Sequence, residues 1–256
     1  MSFYGYSKEE RKKIIARIND EIIADIGSNS TKHFIGYFDD PDTYMRKSAY
    51  VAVGNIVDFN PEVLNKVLEM LEELSTHDSY RIRQTVINAA GEIGKKNFAA
   101  VEAFFDRGLR DNHHSPRNAV IGSIKKMGEV NPLPVLLWAK KHLHDNNMEV
   151  RRMICHGIEL RGRTHPEDIL PLLEQLQHDD TTRVRKTLVH VLGQISYKKG
   201  CLEQVIAALR TWENKQLVNA ALTEIVDVHK RYRAFAAATP AEAKKFIEQK
   251  INISLR

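Results

Sequence analysis

Residues 180–195 read DTTRVRKTLVHVLGQI, and the spacing inside this stretch decides the fold. Measured from Arg185, the apolar side chains Leu188, Val189, Leu192 and Ile195 lie three, four, seven and ten residues downstream. At about 100° of rotation per residue these positions gather on one side of an α-helix, whereas a half-buried strand would need strict alternation. The same pattern recurs upstream as YMRKSAYVAVGNI from Tyr44, RIRQTVINAAGEIG from Arg81, SPRNAVIGSIKKMG from Ser115 and EVRRMICHGIELRG from Glu149. The anchors are Arg46, Arg83, Arg117, Arg151 and Arg185, separated by 37, 34, 34 and 34 residues. One further step of 34 reaches Asn219 in QLVNAALTEIVDV, a sixth copy that keeps the apolar spacing and loses the Arg. A period of this length is the mark of a stacked repeat.

Between the anchored helices lie second apolar segments such as PEVLNKVLEMLEEL from Pro61 and HPEDILPLLEQLQ from His165, so each repeat holds two helices. Pro61 and Pro166 suit a first helical turn, where the missing N–H has no partner to lose. Asp40, Asp78, Asp111, Asp145 and Asp179 stand five or six residues before the anchors, where a carboxylate caps a helix or starts a turn. Ser7 to Glu10 and Thr239 to Glu242 have capping-box spacing, which predicts helices at both ends. The expected fold is an all-α superhelix of about six repeats. It forms one domain over residues 1–256, with repeats over about 40–230 and helical caps over about 7–39 and 231–256.

Composition narrows the class. With 43% hydrophobic and 28% charged residues the chain is globular rather than disordered. No apolar run approaches the roughly 20 residues of a membrane-spanning helix. The N-terminal MSFYGYSKEERKK has no signal-peptide core, and Cys155 and Cys201 lack C-x-x-C partners, which together predict a cytoplasmic protein with reduced thiols. A net charge of +5 is modest for 38 basic and 33 acidic side chains.

The string DTTRVRKTLVHVLGQI resembles the second helix of a HEAT repeat, and the resemblance covers roughly residues 40–230. It implies a right-handed α-solenoid whose second helices line a concave surface. It also implies that the anchor Arg residues form a structural ladder paired with turn carboxylates, for which Asp42, Asp78, Asp111, Asp145 and Asp180 are candidates. The segment 165–212, ending at Trp212, is similar to the repeats of HEAT-like alkylpurine DNA glycosylases. That likeness implies a cationic duplex-binding groove with a carboxylate and aromatics near the lesion, although no catalytic Asp or aromatic pair maps onto this chain.

Residues one, five and eight after each anchor are expected outside the apolar face. Toward the C-terminus they are Arg152, His156 and Glu159, then Lys186, His190 and Gly193, then Ala220, Glu224 and Asp227. Chemistry concentrates there, so Arg152, His156, Glu159, Lys186, His190, Glu224 and Asp227 are the groove candidates. A row of His156, His190 and Glu224 has metal-ligand chemistry, but its members come from helices about 10 Å apart. Solvated groove residues, with no metal, are therefore expected. No Gly-rich phosphate loop, G-x-S-x-G or H-E-x-x-H occurs, so neither catalytic residues nor a cofactor are expected. The basic stretch HKRYRAF from His229 reads as a final helix whose Tyr232 and Phe235 seal the core. The leading functional expectation is a non-catalytic scaffold that binds a protein or peptide on its concave face. The alternative is a DNA-binding or DNA-repair protein that takes double-stranded DNA.

Overall fold

Each Arg-anchored string is helical, the fourth with an interruption after Gly157, and a second apolar helix precedes each. The computed structural model describes residues 3–251, and among them every regular element is helical. They form two compact units, Met1–Asn131 and Pro132–Arg256. In the first unit the anchored helices are α3 (Thr43–Phe59), α5 (Tyr80–Gly94) and α7 (His114–Val130). These alternate with α2 (Lys32–Phe38), α4 (Leu64–Leu74) and α6 (Glu102–Gly108), and α1 (Lys8–Ser28) covers α2 and α3. In the second unit the anchored helices are α9 (Met148–Gly157), α12 (Thr182–Gln194) and α14 (Lys215–Arg231), the last carrying the degenerate copy at Asn219. They alternate with α8 (Pro132–His142), α11 (Pro166–Glu174) and α13 (Cys201–Thr211). A short helix, α10 (Glu159–Gly162), follows α9, and α15 (Pro240–Ile251) packs on α13 and α14. The fold is an all-α, HEAT-like repeat architecture. Among the described residues no helix is long and apolar enough to cross a membrane.

The apolar periodicity becomes two rows of stacked helices. Anchored helices pack on anchored helices, α3 on α5 and α5 on α7 in one unit, α9 on α12 and α12 on α14 in the other. Leu188, Leu192 and Ile195 of α12 are fully buried, as are Val150, Met153 and Ile154 of α9. Truncating one such Leu or Ile to Ala costs about 2–5 kcal/mol. Val189 is only half-buried, so the face of α12 turns toward Val184 and Val191. Ser7 and Thr239 cap α1 and α15 with the capping boxes their spacing predicts.

The turn before each anchored helix repeats one hydrogen-bond device five times. The Arg Nη1 donates to the main-chain carbonyl six residues back: Arg46 to Asp40 (2.5 Å), Arg83 to His77 (2.7 Å), Arg117 to Asp111 (2.5 Å), Arg151 to Asp145 (2.9 Å) and Arg185 to Asp179 (2.5 Å). The side chain of that same residue accepts the N–H two residues on, at 2.7–3.0 Å. In the second repeat His77 takes this role through Nδ1, and Asp78 contributes only its carbonyl.

Two anchors also reach forward by 28 residues. Arg83 grips Asp111 through Nε and Nη2 at 2.7 and 3.0 Å, and Arg151 grips Asp179 at 2.6 and 3.1 Å. Burial pushes the Asp111 and Asp179 carboxyls up, but the bidentate guanidinium and the turn N–H outweigh it and hold both below the ordinary value of 3.8. Arg151 bonds Asp180 as well, at 3.1 Å.

In three copies the eighth position after the anchor faces the neighbouring anchored helix, contrary to the expectation that it lies outside the packed surface. Gly54, Gly91 and Gly193 occupy it and are buried. A Cβ on Gly54 would meet Glu92 at 2.5 Å, one on Gly91 would meet Ser123 at 2.5 Å, and one on Gly193 would meet Glu224 at 2.6 Å. Close approach of two backbones explains the glycine.

Two stability outcomes follow from these contacts. Arg151→Ala strips a nearly buried Asp179 of its bidentate partner and is expected to cost about 3 kcal/mol. Arg185→Ala removes mainly a carbonyl contact and is expected to cost about 1 kcal/mol. Equal losses in urea unfolding would contradict this assignment. Gly193→Val overfills the α12–α14 contact and should destabilise by about 1–3 kcal/mol, read as a lowered melting temperature.

Candidate functional site

The residues of the C-terminal repeats lie within the second unit on α9, α10, α12 and α14. Arg152, one position after its anchor, points back along α9 and bonds Glu149 Oε2 through Nε at 3.0 Å. Arg183 of α12 reaches the other oxygen of Glu149 at 2.8 Å. One carboxylate thus serves two guanidinium groups. Lys186 and Asp227 are exposed.

His156 and His190 meet edge to face, with ring centroids 6.0 Å apart. The 34-residue repeat places them on adjacent helices, and their side chains lean together across a gap that helix-axis spacing alone makes too wide. Besides Glu224 on the His190 side, a second carboxylate, Glu159, stands beside His156. Its Oε2 lies 3.2 Å from His156 Nε2, while its Oε1 takes Arg163 Nη2 at 2.5 Å. Glu159 is only 1% exposed, although its sequence position predicted the surface. Glu159 is the eighth residue after Arg151, the position that Gly54, Gly91 and Gly193 bury in other copies, and it opens α10 just after α9 closes at Gly157 and Ile158. Arg163 also donates to Gln194 Oε1 at 2.9 Å, which fixes the guanidinium behind the carboxylate.

Glu224 stands on the other flank of His190, with Oε1 3.8 Å from Nδ1 and 2.9 Å from Arg231. Burial lowers the His190 pKa below 6.5; Glu159 and Glu224 raise it and His156 and Arg231 lower it, leaving the net shift downward. His190 is therefore neutral at pH 7. The Arg231 pKa is raised, first by its hydrogen bond to Glu224.

Beside this cluster, α12 and α14 enclose an open hollow of about 570 Å³ whose wall includes Asp180, Lys186, Val189, Asn214, Leu217 and Ala220. Lys186 and Ala220 are the first positions after their anchors, and Val189 and Leu217 give the hollow an apolar floor. The first unit holds a second hollow of about 600 Å³, walled by Tyr4, Ile15, Tyr44, Lys47 and Val51. Lys47 and Val51 belong to the expected groove positions; the contribution of Ile15 from α1 has no signal in the repeat.

Other marked residues serve packing. Trp138 and Trp212 are each 1% exposed. Tyr232 stacks on Tyr197 at 5.3 Å, whereas Phe235, expected to seal the core, is 70% exposed. Both cysteines are buried, and burial pushes their thiols above the ordinary value, most strongly at Cys155. Glu149, Arg163, Arg183, Gln194 and Arg231 were missed by the sequence reading. The i,i+3 spacing of Glu149 and Arg152 and the i,i+4 spacing of Glu159 and Arg163 were the available signals.

No protein-family model matches the sequence, and no curated protein matches it. Solved structures do. The chain is similar to AlkD2 from Streptococcus mutans, with a TM-score of 0.53 and 17% identity over 89% of this chain and 99% of that one. It is similar to the alkylpurine DNA glycosylase AlkC of Pseudomonas fluorescens, solved on DNA containing an abasic-site analogue, with a TM-score of 0.50 and 15% identity over 88% of this chain and 67% of that one. It is also similar to a TOG domain of crescerin, a regulator of microtubules in the primary cilium, with a TM-score of 0.50 and 16% identity over 80% and 88% of the two chains. At these identities the likeness establishes the helical-repeat fold.

The electrostatics of the cluster are measurable by histidine NMR. His190 is expected to titrate below 6.5, and Glu224→Gln, by removing a group that stabilises the imidazolium, should lower it further. A wild-type midpoint at or above 6.5 would contradict the burial argument.

Proposed function

We propose that this chain is a non-catalytic HEAT-type scaffold and that the anchored-helix face of residues 132–256 binds a partner protein or peptide. One observation carries the reading: four guanidinium groups of this face are already held by three carboxylates. Glu149 holds Arg152 and Arg183, Glu159 holds Arg163, and Glu224 holds Arg231. A polyphosphate would have to draw those guanidinium groups away from their carboxylates. A peptide with both signs would not. The hollow between α12 and α14 supports the same reading, because it offers Lys186 and Asp180 around an apolar floor suited to one or two side chains. The buried thiols and the absence of a catalytic motif in the sequence favour binding over chemistry.

The fold shared with two DNA-glycosylase-type structures supports a second reading, duplex DNA as the partner. Aromatic stacking on an extruded base would have to come from residues other than Trp138 and Trp212, because both are packed inside.

Affinity capture of wild type and Lys186→Glu, paired with duplex-DNA anisotropy across a salt series, separates the two. The scaffold reading expects a discrete protein retained by wild type and lost from Lys186→Glu, with duplex binding weak and salt-insensitive. Tight duplex binding that falls steeply with salt, or base release from alkylated DNA, would replace it with the DNA reading.

A further inference from the structure

The histidine pair and its buried carboxylate have a composition that neither packing nor the proposed binding face requires. We propose that His156, Glu159 and His190 form a binding site for one divalent transition-metal ion of the zinc class. One ligand atom from each residue lies within 4.8 Å of the others. Zinc bonds to imidazole nitrogen and carboxylate oxygen are about 2.0–2.2 Å long, which sets neighbouring ligands about 3.3 Å apart in a tetrahedron. His156 Nε2 and Glu159 Oε2 already stand at 3.2 Å. The remaining closure falls to His190, whose side chain is 43% exposed.

Three features surround the ligands as a metal site requires. Arg163, itself bonded to Gln194, holds Glu159 Oε1, so the carboxylate presents Oε2 at a fixed angle. Glu224 is near enough to His190 Nδ1 to orient that imidazole, the usual office of a carboxylate behind a histidine ligand. His156 and His190 are both partly exposed, at 32% and 43%, which gives an ion an entry path and leaves a fourth position for water. The donor set fixes the class of ion. Two imidazoles and one carboxylate suit zinc, cobalt, nickel or iron(II), whereas calcium and magnesium demand shells dominated by oxygen.

The site is independent of the partner-binding reading, and its test uses the metal alone. Co2+ is titrated into the purified, chelator-stripped full chain while its visible d–d absorption is followed, and Zn2+ is then added as competitor. One equivalent of Co2+ should develop the band and Zn2+ should displace it. His190→Ala and His156→Ala should each weaken binding at least about tenfold, while His178→Ala, at a surface histidine outside the cluster, should leave it unchanged. Far-UV circular dichroism confirms that each variant is folded; both substituted histidines are partly exposed, which makes them tolerant positions. Glu159→Gln serves as a third variant where it folds. No band at one equivalent in the wild type, or affinity unchanged in both histidine variants, overturns the proposal.

Discussion

A guanidinium folded back onto the carbonyl six residues before it is the contact on which the architecture depends. A chain that reverses direction every 10 to 20 residues leaves main-chain carbonyls at each turn without helical partners, and a buried unpaired carbonyl is costly. Arg suits the task because its donors form a planar fork that can satisfy a carbonyl and a carboxylate at once. In Arg83 and Arg151 Nη1 holds the turn behind while Nε and Nη2 hold Asp111 and Asp179 ahead. Those two aspartates then offer their own carbonyls to Arg117 and Arg185. Within each unit, turn and helix are thereby fixed in one register, and the apolar rows stack with both cysteines free.

Much of this was legible from periodicity. Apolar residues at three, four, seven and ten positions after a recurring Arg specify a helix, its buried side and the number of copies. The capping boxes at Ser7 and Thr239 were equally plain. What the sequence hid was the identity of the Arg acceptors, because a carbonyl belongs to every residue and leaves no trace in composition. Five anchors use the carbonyl, whereas two make the bidentate carboxylate contact expected from pairing logic. The eighth position misled for a related reason. A helical wheel places it at the flank of one helix, but the neighbouring helix approaches that flank, and the glycine at 54, 91 and 193 was the available warning.

The site was partly readable. Repeat equivalence brought His156 and His190 together correctly in kind, but helix-axis spacing overstated their separation because it ignores the reach of two side chains leaning toward each other. Two carboxylates flank the pair. Glu224 continues the row along the repeats beside His190, and Glu159 joins it beside His156 from the eighth position, where other copies hold a buried glycine. A carboxylate in place of that glycine therefore creates the most unusual chemistry in the second unit.

Pairing also decides which charges are free to act. Arg83 and Arg151 are held by Asp111 and Asp179, and Arg152, Arg163, Arg183 and Arg231 by Glu149, Glu159 and Glu224, although the net surplus of +5 is unchanged by such pairs. Long-range attraction for a polyanion depends on charge that is not already balanced nearby. Beside the paired groups stand two imidazoles, a buried carboxylate and a lysine next to an apolar hollow. On the proposed reading such a face selects its partner by geometry more than by charge, because a guanidinium held by a carboxylate is less available to a phosphate.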